Sequence, residues 1–205
     1  MIAEKNIDSV TDAVIEHENE ISLEAYLSAV EFFARTKSDF IFPNSSPEHA
    51  SIVLATIFKY STTEVLIYDN SINGDIADSN QYLLDAIKNY VEKTSKVVKI
   101  VIRDDSKHEN SKIYNLLSGY IKEKRSNIDI RKATKNFRDE VVNIYDKDIN
   151  FAVGDKTSFR MEKNDSTETN IQREAICSFN RTSTANKLSS VFENHFSVCP
   201  KVIFD

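Results

Sequence analysis

Glycine is almost missing, with three residues in a chain of 205. A phosphate-cradling loop or a GxGxxG dinucleotide turn needs several glycines within one short stretch, so both are excluded. Three prolines leave no room for a collagen-like or linker-like segment. The two cysteines, Cys177 and Cys199, have no neighbour at CxxC spacing, which argues against a zinc knuckle or a disulfide framework. Cys177 lies within the apolar run Ala175–Phe179 and reads as a small buried hydrophobe. No apolar run approaches the roughly 20 residues that a bilayer span requires. The start, Met1-Ile-Ala-Glu-Lys-Asn, lacks the basic flank and apolar stretch of a signal peptide. The expectation is a cytoplasmic chain with no membrane partner.

Positive charge is also in short supply. Twenty-six Lys and Arg face 32 Asp and Glu, a net charge of -6. Sequence-independent nucleic-acid binding draws on cations that neutralise phosphates, so the global balance disfavours a nucleic-acid partner. Apolar residues at 40% and a mean hydropathy of -0.40 suit a cored globular domain with a polar surface.

The pattern along the chain alternates. Residues 1–21 are polar, with Ile7, Val10 and Val14 as a thin stripe. Ser22 then caps a helix with Leu23, Tyr26, Leu27, Val30 and Phe33 on one face. Residues 1–36 are therefore expected to form an N-terminal arm and amphipathic helix, and 37–205 an α/β domain. In the latter, Phe40–Phe42 reads as a short strand. Ser46 and Pro47 open a helix to about Tyr60. Glu64–Tyr68 and Val97–Ile102 are strands, each followed by a helical stretch, near Asn80–Glu92 and Ser111–Lys124. Ile128–Arg131 alternates like a strand near a sheet edge. Val141–Tyr145, Asn150–Val153 and Ser158–Glu162 read as a meander of short antiparallel strands between turn signals. Glu174–Phe179 is a further strand, and the hydroxyls of Thr182, Ser183 and Thr184 offer caps for a last helix. The order predicts a three-layer α/β domain whose mixed sheet begins parallel and ends antiparallel.

This order, together with Asp139–Asp146, the hairpin Ile149–Asp155 and Glu174–Asn180, resembles one half-domain of the phospholipase D superfamily. The family signature is His-x-Lys with an Asp five residues after the Lys, on a strand that turns into a second strand; a later strand opens with Glu. The His is transiently phosphorylated, while the Lys and a neighbouring Asn hold the phosphate. On this resemblance the signature Asp falls on Asp146 and the Glu on Glu174. The His position becomes Asp139 and the Lys position Val141, and neither can do the chemistry. None of His17, His49, His108 and His195 has a Lys two residues later. The resemblance thus implies a degenerate, non-catalytic member with no cofactor. The resemblance further implies action through a protein partner, as a homodimer or in a bacterial anti-phage defence or regulatory assembly.

Two rival readings rest on the residues alone. Asp69, Asp104 and Asp105 follow two strands at their carboxyl ends, with Asn44 after another, and carboxylates there can hold Mg²⁺ for a phosphoesterase or nucleotide-binding enzyme. Turn initiation explains the same residues. Arg131, Lys132, Lys135 and Arg138, after Lys122, Lys124 and Arg125, form the one local basic stretch and the candidate contact for nucleic acid. Arg160 and Glu162 alternate with Phe159 and Met161 and read as an exposed pair. Ser46 with His49 suggests a nucleophile and base, but capping already accounts for the Ser46 hydroxyl.

Overall fold

The computed structural model describes residues 22–70, 76, 81–104, 111–123, 125–163 and 174–204. The arm at 1–21, Asp105, His108 and residues 164–173 lie outside the described residues. Helix α1 (Leu23–Arg35) starts where Ser22 accepts a hydrogen bond from the Ala25 N–H at 3.2 Å. Strand β1 (Phe42–Asn44) is followed by α2 (Pro47–Tyr60), with Ser46 capping the His49 N–H at 3.1 Å. Then come β2 (Glu64–Asp69), α3 (Gln81–Val91), β3 (Val97–Ile102), α4 (Lys112–Lys122) and β4 (Ile128–Lys132). Helix α5 (Lys135–Tyr145), strands β5 (Phe151–Gly154), β6 (Ser158–Glu162) and β7 (Ala175–Ser178), and α6 (Thr182–Phe196) complete the order.

The strands form one sheet in the order β1-β7-β6-β5-β2-β3-β4. β2, β3 and β4 are parallel, and every other pairing is antiparallel. Alternation along the strands separates two apolar layers. Val65, Val98, Ile100 and Ile102 face α2 and α3; Leu66, Tyr68, Val101, Phe151 and Phe159 face α5 and α6. This is the mixed, three-layer arrangement that the alternating pattern predicts.

Three local expectations change. The strand expected at Val141–Tyr145 is the second half of α5. Thr134 caps it by accepting from the Phe137 N–H at 3.3 Å, and Phe137 and Val141, four apart, bury themselves on one face. A short apolar run carries no period of its own, so the cap upstream decides the outcome. β1 begins two residues later than Phe40 and includes Pro43, which is tolerated because β1 is a sheet edge. The Pro43 carbonyl instead accepts from the Tyr26 hydroxyl at 3.4 Å, tying α1 to that edge. The last helix has Arg181 as its N-cap with no side-chain cap, so the hydroxyls of 182–184 do not serve as expected.

The opposite edge is covered as well. The Lys132 N–H donates to the Pro200 carbonyl at 2.8 Å, and the Val202 N–H donates to the Ile130 carbonyl at 3.0 Å. At the base of the sheet, Gly154 packs where no side chain fits. A Cβ there would lie against Ser61 Oγ, 2.7 Å from Ser158 Oγ and 2.9 Å from Ile57 Cγ2. Gly154→Ala is therefore expected to lower stability by about 1–3 kcal/mol, read as a drop in the urea midpoint at unchanged slope.

Candidate functional site

Strand direction brings one polar row to one rim. β1 and β6 end there and β5 and β7 begin there, beside the carboxyl ends of β2 and β3. Register places Asn44 opposite Ala175 and Ala175 opposite Glu162. The Glu162 N–H donates to the Asn150 carbonyl at 2.9 Å. Tyr68 pairs with Phe151, so Asp69 and Asn150 come next on their strands at the rim, and Asp69 is opposite Ile102, just before Arg103.

These residues form a buried ionic network. Arg103 Nη1 donates to Asp148 Oδ1 at 2.6 Å and to the Asp148 carbonyl at 2.9 Å, while Nη2 donates to Asn150 Oδ1. The Tyr68 hydroxyl donates to Asp148 Oδ1 at 3.1 Å, and the Arg103 guanidinium sits 4.9 Å over the Tyr68 ring. Arg138, reaching down from α5, donates to Asp148 Oδ2 at 3.1 Å. Asn150 Nδ2 donates to Glu162 Oε2 at 2.8 Å, and Arg160 Nη1 donates to Glu162 Oε1 at 3.2 Å. The network thus holds the cations Arg103, Arg138 and Arg160 and the acids Asp148, Glu162 and Asp69. Asp69 is part-exposed and within electrostatic reach of Glu162, Arg103 and Arg160. Desolvation, and after it the charge of Glu162, push its pKa up to about 6 against the pull of Arg103.

Asp155 lies at the far end of β5. Burial alone would raise its carboxyl, but the Thr62, Thr63 and Glu64 N–H groups and the Thr63 hydroxyl donate to it and hold it at about 2. The folded value lies below the ordinary 3.8, so the group stabilises the fold above that pH. The contribution is lost as pH falls through about 2. Asp155→Asn is expected to lose about 1–2 kcal/mol at pH 7, allowing for the group's partial exposure, and to flatten the acid limb of the stability profile.

The resemblance expects the signature on a strand that turns into a second strand, and the unit of that form downstream of α5 is β5, the turn at 155–157, and β6. Its Asp five residues after the Lys position is Asp155. The Lys position is then Asn150 and the His position Asp148, rather than Val141 and Asp139. Asp146 is the left-handed C-cap of α5, with φ 59°, and not the signature Asp. The shift is nine residues and follows from α5 being a helix. Neither Asp148 nor Asn150 supplies a phosphate-attacking imidazole or an ammonium group.

The other anticipated residues divide. Asn44 is buried at the end of β1, donating to Cys177 Sγ at 3.5 Å, and Asp69 joins the network. Asp104 lies just past Arg103 and is part-exposed, and Asp105 is outside the described residues. Among the described residues no three carboxylate, imidazole or thiol groups converge as a metal would need. Glu174 sits 3.8 Å from Lys163 at the rim. Arg131 is spent on structure: it pairs with Asp129 at 2.8 Å and donates to the carbonyls of Phe196, Ser197 and Cys199, closing the end of α6. Lys135 is exposed and pairs with Asp139 at 2.5 Å, while Arg138 reaches Asp148. Arg160 and Glu162 are buried, at 4% and 3% exposure, and not the exposed pair expected. His195 pairs with Glu140 and stacks on Phe137. Tyr68, Arg103, Asp148 and Asn150 are the network members that composition and periodicity did not single out. Placing the signature spacing on the hairpin at 148–162 finds the last two.

No family model matches the chain, and no curated protein matches it. Solved structures do. TrmBL2, an archaeal chromatin protein whose structure shows a novel mode of DNA binding, superposes with a TM-score of 0.54 at 17% identity, over 97% of this chain and 69% of that one. Nuc, a phospholipase D family member from Salmonella typhimurium, gives 0.52 at 16% identity, over 80% of this chain and 99% of its own. NucT from Helicobacter pylori gives 0.51 at 17%, over 80% and 98%. The likeness is one of fold: a mixed sheet with parallel core strands and antiparallel flanking strands, preceded by an N-terminal helix.

Proposed function

We propose that this phospholipase D-like chain is a non-catalytic module that associates with nucleic acid. The observation that carries the first half is the occupancy of the signature pair by Asp148 and Asn150, both locked by Arg103. The imidazole that attacks phosphorus in the resembled family is absent from that pair, and the one carboxylate in its place, Asp148, is tied up by Arg103, Arg138 and the Tyr68 hydroxyl.

Support for the second half comes from charge and from likeness. The acidity is uneven: residues 1–100 hold sixteen acids and eight bases, whereas 101–205 hold sixteen acids and eighteen bases. Lys135, Arg138, Lys147 and Lys163 flank the rim, and Lys147 Nζ lies 3.1 Å from the Lys163 carbonyl. Such heads neutralise backbone phosphates without reading bases. The superposition on TrmBL2 takes in 97% of the chain, against 80% for Nuc and NucT.

Fluorescence anisotropy with a labelled DNA duplex tests the reading. Binding is expected to weaken steeply with salt, and Lys135→Glu with Lys147→Glu to weaken it roughly tenfold or more and flatten the salt slope by about one per lost phosphate contact. The duplex is expected to stay intact with or without Mg²⁺. Cleavage would refute the non-catalytic half, and absence of binding at low salt the nucleic-acid half. A second reading, contact with a protein partner or a second copy, draws on Phe32 and Phe40, 52% and 45% exposed on and just after α1 and both in ring contact with Phe33. Phe32→Ser is expected to lower the apparent mass in sedimentation if that face self-associates.

A further inference from the structure

We infer that the rim network is an oxyanion site already filled by the chain's own carboxylates. Asp148 and Glu162 occupy Arg103 and Arg160 as a phosphate-type anion would, so the native protein has no affinity for phosphate there. The inference does not use the nucleic-acid reading, whose tested cations are the exposed Lys135 and Lys147; Arg138 is the one group the two share.

Two observations meet. The guanidinium groups are inside the protein, their side chains 2% and 5% exposed; Arg103 gives Nη1 to the Asp148 carboxylate and carbonyl and Nη2 to Asn150, and Arg160 gives Nη1 to the Glu162 carboxylate. A planar fork matches carboxylate and phosphate oxygens equally well, so whichever anion is held in place takes the fork. Independently, Arg103 Nε and Arg160 Nε are buried with no hydrogen-bond partner. A network serving stability alone leaves few buried donors unmet. Two unmet N–H groups on two arginines that both act on Asp69 mark donor capacity in excess of the internal acids.

The charge count explains why the site is closed. Arg103, Arg138 and Arg160 are balanced by Asp148, Glu162 and Asp69, so an added phosphate would bring its charge into a site already neutral. Removing Asp148 or Glu162, the acids paired with the guanidinium groups, reverses this. The arginine left behind is a buried, uncompensated cation, and a small dianion is the species that best restores the balance.

Inorganic phosphate is the probe, with chloride at matched ionic strength as the control. The full chain is compared as native protein, Glu162→Ala and Asp148→Ala, which remove both the charge and the group that fills the site, by thermal unfolding and isothermal calorimetry. The expected result for the native protein is only the small general rise that an excluded anion such as phosphate gives any fold, with no heat of binding. Each variant should show a larger, phosphate-specific rise and an affinity at least about tenfold above native. If a variant is unfolded in chloride, its far-ultraviolet circular dichroism is followed as phosphate is added. Recovery of the native spectrum in phosphate alone supports the proposal, and no recovery overturns it. Native protein that binds phosphate as tightly as the variants overturns it, and so do folded variants indifferent to phosphate.

Discussion

Asp148→Ala is expected to lower the unfolding free energy by about 3–5 kcal/mol, the largest loss from any single truncation at the rim. Asp148 receives Arg103 at 2.6 Å, Arg138 at 3.0 Å and the Tyr68 hydroxyl at 3.1 Å, and it is 5% exposed. Its loss leaves the Arg103 guanidinium charged and away from water. Removing Arg138 is different, because its side chain is 46% exposed and rehydrates: Arg138→Ala is expected to cost about 1 kcal/mol or less. Substituting both partners of the buried pair, Arg103→Met with Asp148→Leu, removes the charge and the desolvation together. It is expected to be milder than Asp148→Ala alone. Urea unfolding of the three variants checks the order. An Asp148→Ala loss near that of Arg138→Ala would mean that the pair is hydrated and contributes little.

The parallel half of this fold is legible because each part of it repeats a signal. Ser22, Ser46, Pro47 and Ser111 stand where caps are found, and Val97–Ile102 is apolar at every position but Lys99, as suits a strand covered on both faces. The antiparallel half is harder to read. Val141–Tyr145 is too short to show a period, and only Thr134 seven residues earlier marks it as helix. That one misreading displaces the signature by nine residues and hides the site. Arg160 and Glu162 mislead for another reason. Alternation places them on the face opposite Phe159 and Met161, and in a sheet with one bare face that would be the wet one. Here helices cover both faces, so the charges are buried and must satisfy each other. Arg131 shows the converse: a cation within a basic stretch looks available for ligand until the chain brings the carbonyl end of α6 beside it.

The same burial gives the rim its pH dependence, with a sign opposite to that of Asp155. Asp69 titrates at about 6 in the folded chain, above its ordinary 3.8, because desolvation and Glu162 both disfavour its charged form. Between those values the folded state binds the extra proton, so stability falls as pH rises through the window and stays lower above it. A shift of about two units corresponds to roughly 3 kcal/mol. Asp69→Asn keeps the shape and removes the charge. It is expected to be close to neutral at pH 4 and to stabilise the protein by up to about 3 kcal/mol at pH 8, erasing the decline between pH 4 and 6. Chemical unfolding at several pH values reads this directly. A variant that parallels the native profile across that window would place the Asp69 carboxylate in water. An acid kept at such a cost beside two buried arginines belongs to the charge balance of the rim. The energy recovered by Asp69→Asn therefore measures what the fold gives up to keep that site neutral.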